Sequence, residues 1–398
     1  MQFLDGKGTT SPRASVVTIA IFVIVALASW TGCGGLSGTS SHSLTPPPPP
    51  TTSLVVPDSG NNRVLIYNSS FATDESASVV LGQSQFTTNN KGLTAATIYS
   101  AADTAEDSAG NIYVSDSGNN RVLQFKPPFT NGMSASVVIG QPDFVTGNTN
   151  TTQTGLNYPG GLAFDSGGNL WVVDFANSRI VQYQPPFATN MSASLVIGQP
   201  NFTSSDTATT NSGLFYPYLV AFDASGDLWV TDGGNNRVLE FIPPFANGMA
   251  ASLVIGQTDF VSNGEATTAG GLNQPVGVAF DSAGDLWIGD TYNNRILEFN
   301  PPLANGMSAS LVLGQASFTA GGTSGGQNGF YWPFGIAFDS TGNLYAADYE
   351  NNRTLEFAPP FSNNQNASLV LGQANFTSYG LATTATGQSN PVAVTAAF

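Results

Sequence analysis

The sequence repeats itself six times with a period of 58 residues. Each copy carries an aspartate that is followed five residues later by an arginine, as in the segment DTYNNRILEF that starts at Asp290. A fixed period of this kind is the signature of a repeat architecture, and six strand-rich copies predict a closed ring of blades. The six pairs are Asp58 and Arg63, Asp116 and Arg121, Asp174 and Arg179, Asp232 and Arg237, Asp290 and Arg295, and Asp348 and Arg353.

Each repeat contains four short β-rich runs. In the repeat that spans 275–332, turns rich in Gly, Asp, Asn and Pro separate these runs, and a long polar connection from 314 to 332 follows the last of them. Four antiparallel strands repeated six times predict an all-β, six-bladed β-propeller. The four runs are PVGVAFD at 275–281, LWIGD at 286–290, RILEF at 295–299 and SLVL at 310–313.

The two ends of the repeat region complement each other. Leu54 to Asp58 matches the second strand of a repeat, so the first blade lacks its own first strand. Residues 391–394 at the other end match the first strand at 275–278. We therefore expect the C-terminal strand to complete the N-terminal blade and to protect the sheet edges that would otherwise be open.

The repeated pattern P-x-G-x-A-F-D-S-x-G-x-L-W-V-x-D-x-x-N-N-R-x-L-E-F resembles the NHL repeat, a family of β-propeller repeats. The resemblance extends from Leu54 to Phe398 and departs in length, because NHL repeats are usually shorter than the 58 residues found here. The excess lies in the segment typified by PPFANGMSASLVIGQ and in the long connection that follows it.

Residues 1–32 predict a bacterial export signal. Lys7 and Arg13 precede an apolar run at 16–28 that is too short for an ordinary membrane span, which needs about 20 residues. Cys33, the single cysteine, follows as in a bacterial lipobox, whereas Ala-Leu-Ala at 26–28 offers an ordinary signal-peptidase site. We expect a cell-envelope lipoprotein lipidated at Cys33, with plain secretion as the alternative.

Residues 33–53 are rich in Gly, Ser, Thr and Pro and predict a linker, which leaves 54–398 for the propeller. The chain has 26 acidic and 10 basic residues, and six of the basic ones are the repeat arginines. This balance excludes a basic stripe for nucleic acid, and membrane contact is expected only through Cys33. The one histidine, His42, lies in the linker, so the propeller has no His or Cys zinc site and no histidine-activated nucleophile.

Residues present in every repeat most simply serve the blade. A carboxylate and guanidinium pair, or hydrogen bonds from either group to the backbone, would hold the turn between the second and third strands. The alternative is that Asp290, Asn293, Asn294 and their equivalents bind Ca²⁺ through oxygen. The repeated Gly-Gln pairs, the phenylalanines three residues after each Gln, and the methionines are expected in turns and packing. The methionines are Met133, Met191, Met249 and Met307.

The variable positions around the start of the first strand are aromatic, and Phe175 lies in an adjoining loop. In propellers this strand is innermost, so these rings would lie at the mouth of the central channel. They would suit stacking on sugar rings or gripping a peptide, unless they only pack the long connections. The predicted ligand-binding residues are Tyr99, Tyr158, Phe215, Tyr216, Tyr218, Tyr292, Tyr331, Trp332, Phe334 and Tyr349.

Asp103 and Glu106 break the pattern of the first strand, because other repeats have Gly161 and Phe164 at these positions. The two carboxylates could form a Ca²⁺ site or an acid/base pair, unless this repeat is simply degenerate. We expect a monomeric, non-enzymatic binding scaffold without a cofactor, whose partner is a protein segment or a glycan. The alternative is a Ca²⁺-dependent hydrolase or lyase with its site in the central channel, as the resemblance to related propellers implies.

Overall fold

The computed structural model describes residues 53–397. The predicted signal peptide, Cys33 and nearly all of the linker lie outside these residues. Within 53–397, the chain forms no helix of the length and apolar character that crossing a membrane requires.

The described residues form six four-stranded antiparallel sheets, which we call blades 1 to 6. Blade 1 contains β1 (Ser53–Asp58), β2 (Arg63–Tyr67), β3 (Val79–Leu81) and β24 (Thr395–Ala397). Blade 2 contains β4 (Ala101–Glu106), β5 (Ile112–Asp116), β6 (Arg121–Phe125) and β7 (Val137–Ile139). Blade 3 contains β8 (Pro159–Phe164), β9 (Leu170–Asp174), β10 (Arg179–Tyr183) and β11 (Leu195–Ile197).

Blades 4 to 6 repeat this order of strands. Blade 4 contains β12 (Pro217–Phe222), β13 (Leu228–Asp232), β14 (Arg237–Phe241) and β15 (Leu253–Ile255). Blade 5 contains β16 (Val278–Phe280), β17 (Leu286–Asp290), β18 (Arg295–Phe299) and β19 (Leu311–Leu313). Blade 6 contains β20 (Pro333–Phe338), β21 (Leu344–Asp348), β22 (Arg353–Phe357) and β23 (Leu369–Leu371).

The first strands of successive blades contact one another in chain order, and β24 contacts both β20 and β4. The blades therefore form a closed ring around a channel lined by their first strands, which confirms the predicted six-bladed β-propeller.

The ring closes through the C-terminal strand, as predicted. β24 pairs antiparallel with β1, and Ala397, Ala396 and Thr395 face Ser53, Leu54 and Val55 in register. Regular pairing starts only at Thr395, later than the 391–394 segment that the sequence match indicated. Before it, an isolated bridge joins Asp58 to Pro391. The reason is a register shift at the start of the innermost strand, which also interrupts the pairing of β4 with β5.

The apolar core lies between neighbouring blades. Trp171 of blade 3 packs edge to face against Phe222 and Phe245 of blade 4, with ring centroids 5.8 and 4.8 Å apart. The four repeat methionines are partly buried against these cores. Each blade therefore depends on its neighbour for burial of its large side chains.

Each repeat aspartate and arginine form a buried ion pair at the end of the hairpin between the second and third strands. Arg237 Nε lies 2.8 Å from Asp232 Oδ2, and both side chains are fully buried. The other guanidinium N–H groups donate to the carbonyls of Phe260, Thr210 and Gly213 at 2.6, 2.7 and 3.0 Å. The pair therefore fixes the long connections on both sides of the hairpin as well as the hairpin itself.

The second asparagine of the turn between the second and third strands forms a hydrogen bond to the next blade. Asn236 Oδ1 accepts a hydrogen bond from the backbone amide of Gln274 at 2.7 Å, and its Nδ2 donates to the Asn263 carbonyl at 2.9 Å. Four further repeats carry the same bond to the next blade. Blade 3 is different, because Ser178 stands at this position and its buried Oγ has no hydrogen-bond partner.

We expect Ser178→Asn to raise the free energy of unfolding by about 1 kcal/mol, because it supplies the hydrogen bond between blades 3 and 4 that Ser178 does not make. Asparagine also tolerates the left-handed backbone found at Ser178, where φ is 49°. Chemical denaturation of the variant measures the change. The reverse exchange at the matched position, Asn236→Ser, should lower the free energy by a similar amount. An unchanged or lowered free energy of unfolding in Ser178→Asn would contradict a stabilising role for this hydrogen bond.

Candidate functional site on the top face

We call one side of the ring the top face. It carries the turns that follow the repeat aspartates and the starts of the innermost strands. Five of these turns are short 3₁₀ helices, at Ser59–Asn61, Ser117–Asn119, Phe175–Asn177, Gly233–Asn235 and Thr291–Asn293. The equivalent turn of blade 6 spans 349–352.

The residue that precedes each innermost strand has a left-handed backbone. Tyr158, Tyr216 and Trp332 hold φ values of 57°, 50° and 60° at this position. Bulky side chains are uncommon in this region, and each such residue costs on the order of 1–3 kcal/mol. Three large aromatic residues at strained positions indicate that these side chains serve a purpose other than ease of folding.

A cavity opens at the centre of the top face and encloses about 700 Å³, counting the part open to solvent. Blades 3, 4 and 6 supply five aromatic side chains to its wall. Blades 1 and 2 supply three serine hydroxyls, from Ser59, Ser100 and Ser117. The five aromatic residues are Tyr158, Phe175, Tyr218, Phe334 and Tyr349.

The rings on blades 3 and 4 form one group of contacts centred on Phe175. Phe175 stacks on Tyr216 with centroids 4.9 Å apart and an interplanar angle of 15°. It also lies 5.0 Å from Tyr218 and 6.2 Å from Tyr158, tilted by 54° in both contacts. Phe215 lies against Tyr216 at 4.6 Å. The sequence pattern placed Phe175 only in an adjoining loop, whereas the structure places it in the middle of this group.

The rings on blades 5 and 6 form a second group centred on Trp332. Tyr292 stacks on Trp332 at 5.2 Å and 18°, and Tyr349 lies 6.4 Å from the same ring. Phe334 lies 4.5 Å from Tyr349, and Tyr331 lies 5.5 Å from Trp332. We call the two groups together the aromatic cluster.

Nine of the ten predicted ligand-binding residues lie in the aromatic cluster, and Tyr99 lies apart from it. Tyr99 contacts the ammonium group of Lys91, which lies 4.9 Å from its ring centroid. The most exposed members of the cluster are Tyr158 and Tyr292, at 47% and 45%. The cluster therefore combines rings that solvent reaches with rings that line the cavity.

The cavity carries no ionic charge at neutral pH in the described part of the chain. Its lining contains no acidic or basic side chain. Burial raises the pKa of Tyr218 to about 12 and also raises the pKa of Tyr349, so both phenols stay protonated. Gln274 Nε2 donates a hydrogen bond to Tyr218 Oη at 3.1 Å.

Asp103 lies lower in the channel and links blades 2 and 3. Its Oδ2 accepts a hydrogen bond from the Leu162 amide at 2.8 Å, and burial raises its pKa to about 7. Glu106 lines the same part of the channel. It also lines a cavity between blades 1 and 2. When the repeats are aligned, Val55 and Glu106 occupy the positions that Trp171 and Phe222 hold between blades 3 and 4.

Two groups of three carboxylates, each with oxygens within 4.8 Å of one another, lie among the described residues, and neither contains Asp103. They lie beside the turn between the first and second strands, at the other end of the blades from the top face. Three other blades have an asparagine where Asp227 and Asp285 stand. The exchange of asparagine for aspartate at this one repeat position is the sequence feature that could have indicated the two carboxylate groups. The groups are Asp223, Asp227 and Glu240, and Asp281, Asp285 and Glu298.

Two solved structures match the fold of this chain at a TM-score of 0.50 or above. A protein of unknown function from Bacteroides caccae matches at a TM-score of 0.53 and 12% identity, over 87% of this chain and 99% of the other. A chain of the nidogen/laminin complex matches at 0.50 and 15%, over 87% and 98%. Virginiamycin B lyase from Staphylococcus aureus gives 0.43 and 13%, over 78% and 85%. At these identities, the first two matches show the fold alone.

The family model of the NHL repeat matches residues 156–183 and 272–299. These segments run from the residues before the first strand to the end of the third strand in blades 3 and 5. They contain the buried Asp174–Arg179 and Asp290–Arg295 pairs that fasten these blades. Two of the six blades therefore match the NHL-repeat model, and the described residues form a six-bladed β-propeller.

Proposed function

We propose that the protein is a non-enzymatic binding scaffold that holds a protein segment or a glycan on the aromatic cluster. The observation that carries this proposal is that three of the six blades place an aromatic side chain at the left-handed position before the innermost strand. Of these residues, Tyr158 lines a mainly apolar cavity, whereas Tyr216 and Trp332 contact the lining residues Phe175 and Tyr349. Strain of this kind persists where the surrounding structure holds it, and it is concentrated at binding sites. We also propose export, with a lipid anchor at Cys33 or plain secretion, and a monomeric state.

The chemistry of the cluster supports a ligand that presents broad apolar faces. The two stacked pairs, Phe175 with Tyr216 and Tyr292 with Trp332, supply broad flat apolar area on opposite parts of the cluster. Tyrosine hydroxyls at their edges can donate and accept hydrogen bonds. Sugar rings and extended peptide segments both offer apolar faces bordered by polar groups, which matches this arrangement.

The test uses a glycan array and pull-down experiments with the wild type and the Tyr216→Ala, Trp332→Ala double variant. We expect the double variant to bind the wild-type ligand at least about tenfold more weakly, because loss of an anchoring aromatic side chain typically costs about 2 kcal/mol or more. Tyr379→Ala is the matched control, since Tyr379 is 64% exposed and lies outside the cluster. Equal binding by the wild type and the double variant would overturn the proposal.

A second candidate function rests on Asp103, whose pKa of about 7 suits proton transfer in the channel. It is the Ca²⁺-dependent hydrolase or lyase that the sequence left as the alternative. A Ca²⁺ ion near Asp103 would need further oxygen ligands, and Thr104 and Thr395 lie in the same part of the channel. Melting the protein with added Ca²⁺ and with a chelator separates the two candidates, because a bound ion would raise the melting temperature.

A further inference from the structure

We propose that the central cavity of the aromatic cluster is a cage for a quaternary ammonium group of the choline type. The inference rests on the proposed function, because the cage forms the floor of the same binding face. It goes further by naming the chemical class of the group that enters the cavity.

The walls of the cage are aromatic rings from three blades. Tyr158 and Phe175 belong to blade 3, Tyr218 to blade 4, and Phe334 and Tyr349 to blade 6. Phe175 is tilted by 54° against both Tyr158 and Tyr218, so these three rings do not form a flat stack. Aromatic rings that surround a cavity can hold a quaternary ammonium group by cation–π attraction.

The described lining of the cavity has no charged side chain, and this favours a quaternary ammonium over a primary ammonium. A primary ammonium has three N–H donors, and the ring faces offer them no conventional acceptor, while the lining has no carboxylate to compensate the lost hydration. A quaternary ammonium has no N–H group, so it loses no hydrogen bond on entry. Its charge is spread over methyl groups that fill an apolar cavity and interact with the ring faces.

The charge of the protein also favours a cation over an anion or a neutral group. The formal net charge is −16, and the six repeat arginines are each paired with a buried aspartate. Such a field attracts cations to the surface. On the same face, the Lys91 ammonium already lies 4.9 Å from the centroid of the Tyr99 ring.

The wall opposite the rings is polar and suits the rest of a choline-type ligand. Ser59 Oγ and Ser100 Oγ are hydrogen-bonded to each other at 3.1 Å, and Ser117 Oγ donates to the Pro159 carbonyl. Hydroxyl oxygens keep spare acceptor capacity after donating one hydrogen bond. A ligand with a hydroxyl group two carbons from its ammonium nitrogen could therefore reach this wall while its methyl groups contact the rings.

Isothermal titration with choline and with 3,3-dimethyl-1-butanol tests the inference. The two molecules have nearly the same shape, but only choline carries the positive charge. We expect choline to bind the wild type at least about tenfold more tightly than the neutral isostere, as cation–π attraction in a desolvated site predicts. Phe175→Leu and Tyr349→Leu should each weaken choline binding by about the same factor, and Tyr379→Leu is the control outside the cluster.

The outcomes distinguish failure of the quaternary ammonium cage from failure of the proposed binding function. Equal binding of choline and the isostere, or no binding of choline, overturns the cage. If choline fails while the array ligand still distinguishes the wild type from the double variant, only the cage is lost. If the double variant keeps the array ligand, the proposed function falls. Melting temperatures of the two leucine variants, measured alongside, separate loss of the cage from loss of the fold.

Discussion

Deletion of residues 391–398 is expected to abolish cooperative unfolding of the ring. The deletion removes β24, the bridge between Pro391 and Asp58, and the buried side chains of Ala393 and Val394. It also removes the Thr395 hydroxyl, which donates to the Thr104 carbonyl of blade 2 at 2.7 Å. Blade 1 would lose its innermost strand, and blades 6 and 2 would lose the neighbour that both of them contact.

The expected loss is large because closure is shared by the whole ring. Burial of Val394 contributes about 1.5–3 kcal/mol, and the exposed edge of β1 would offer unpaired backbone groups to other chains. A total of roughly 5 kcal/mol is comparable to the net stability of many proteins, which is about 5–15 kcal/mol. We therefore expect aggregation, or a melting transition that is broad and shifted to much lower temperature.

Differential scanning calorimetry of the truncated chain measures this effect. A synthetic peptide of residues 391–398, added in trans, should restore part of the transition by strand addition, and a scrambled peptide should not. An unchanged melting temperature in the truncated protein would show that the ring does not depend on its closing strand.

Replacing Arg237 with methionine is expected to lower the free energy of unfolding by about 3–5 kcal/mol. The substitution leaves Asp232 buried without its cation, and removing one partner of a buried ion pair typically costs this much. It also leaves the carbonyls of Phe260, Thr210 and Gly213 without their donor. The long connections on both sides of the hairpin would lose their common anchor.

Urea denaturation of Arg237→Met measures the change, with Lys126→Met as the control. Lys126 is exposed, and its replacement should change stability by less than about 0.5 kcal/mol. The double variant Asp232→Asn, Arg237→Met should be more stable than Arg237→Met, because it removes the uncompensated charge. A loss below about 1 kcal/mol in Arg237→Met would contradict a fastening role for the pair.

The repeat made most of the fold predictable. Six copies in phase show which residues recur, and the strand runs at 286–290 and 295–299 coincide with β17 and β18. Closure was predictable for the same reason, since the missing strand of blade 1 could be recognised at the other end of the chain. The innermost strands were less predictable, because they are irregular near their starts. In blade 5, regular pairing begins only at Val278.

The aromatic positions could be predicted, but the way in which they are presented could not. The left-handed backbone of Trp332 is held by Asn294, whose Oδ1 accepts from the Trp332 amide at 3.0 Å across the blade interface. The two residues are 38 positions apart, so no local pattern reveals the contact. The serine wall of the cavity was missed for a related reason. Ser59, Ser100 and Ser117 meet only when blades 1 and 2 lie side by side in the ring.

The structure separates residues that recur in every blade from residues that differ among blades. The recurring Asp, Arg and Gln side chains are buried and bonded to the backbone of their own blade and its connections. For example, Gln257 Nε2 donates to the carbonyls of Asn236 and Gly264. Five of the aromatic residues that differ among blades line one cavity, and others stack beside them. Stability and binding should therefore respond to different sets of substitutions.

The most direct test of this division measures melting temperature and ligand affinity on the same two variants. We predict that Arg237→Met lowers the melting temperature strongly, whereas Tyr216→Ala, Trp332→Ala keeps a melting temperature near that of the wild type and loses at least about tenfold in affinity. Retention of wild-type affinity by the Tyr216→Ala, Trp332→Ala protein, measured by titration with the ligand found on the array, would contradict the account.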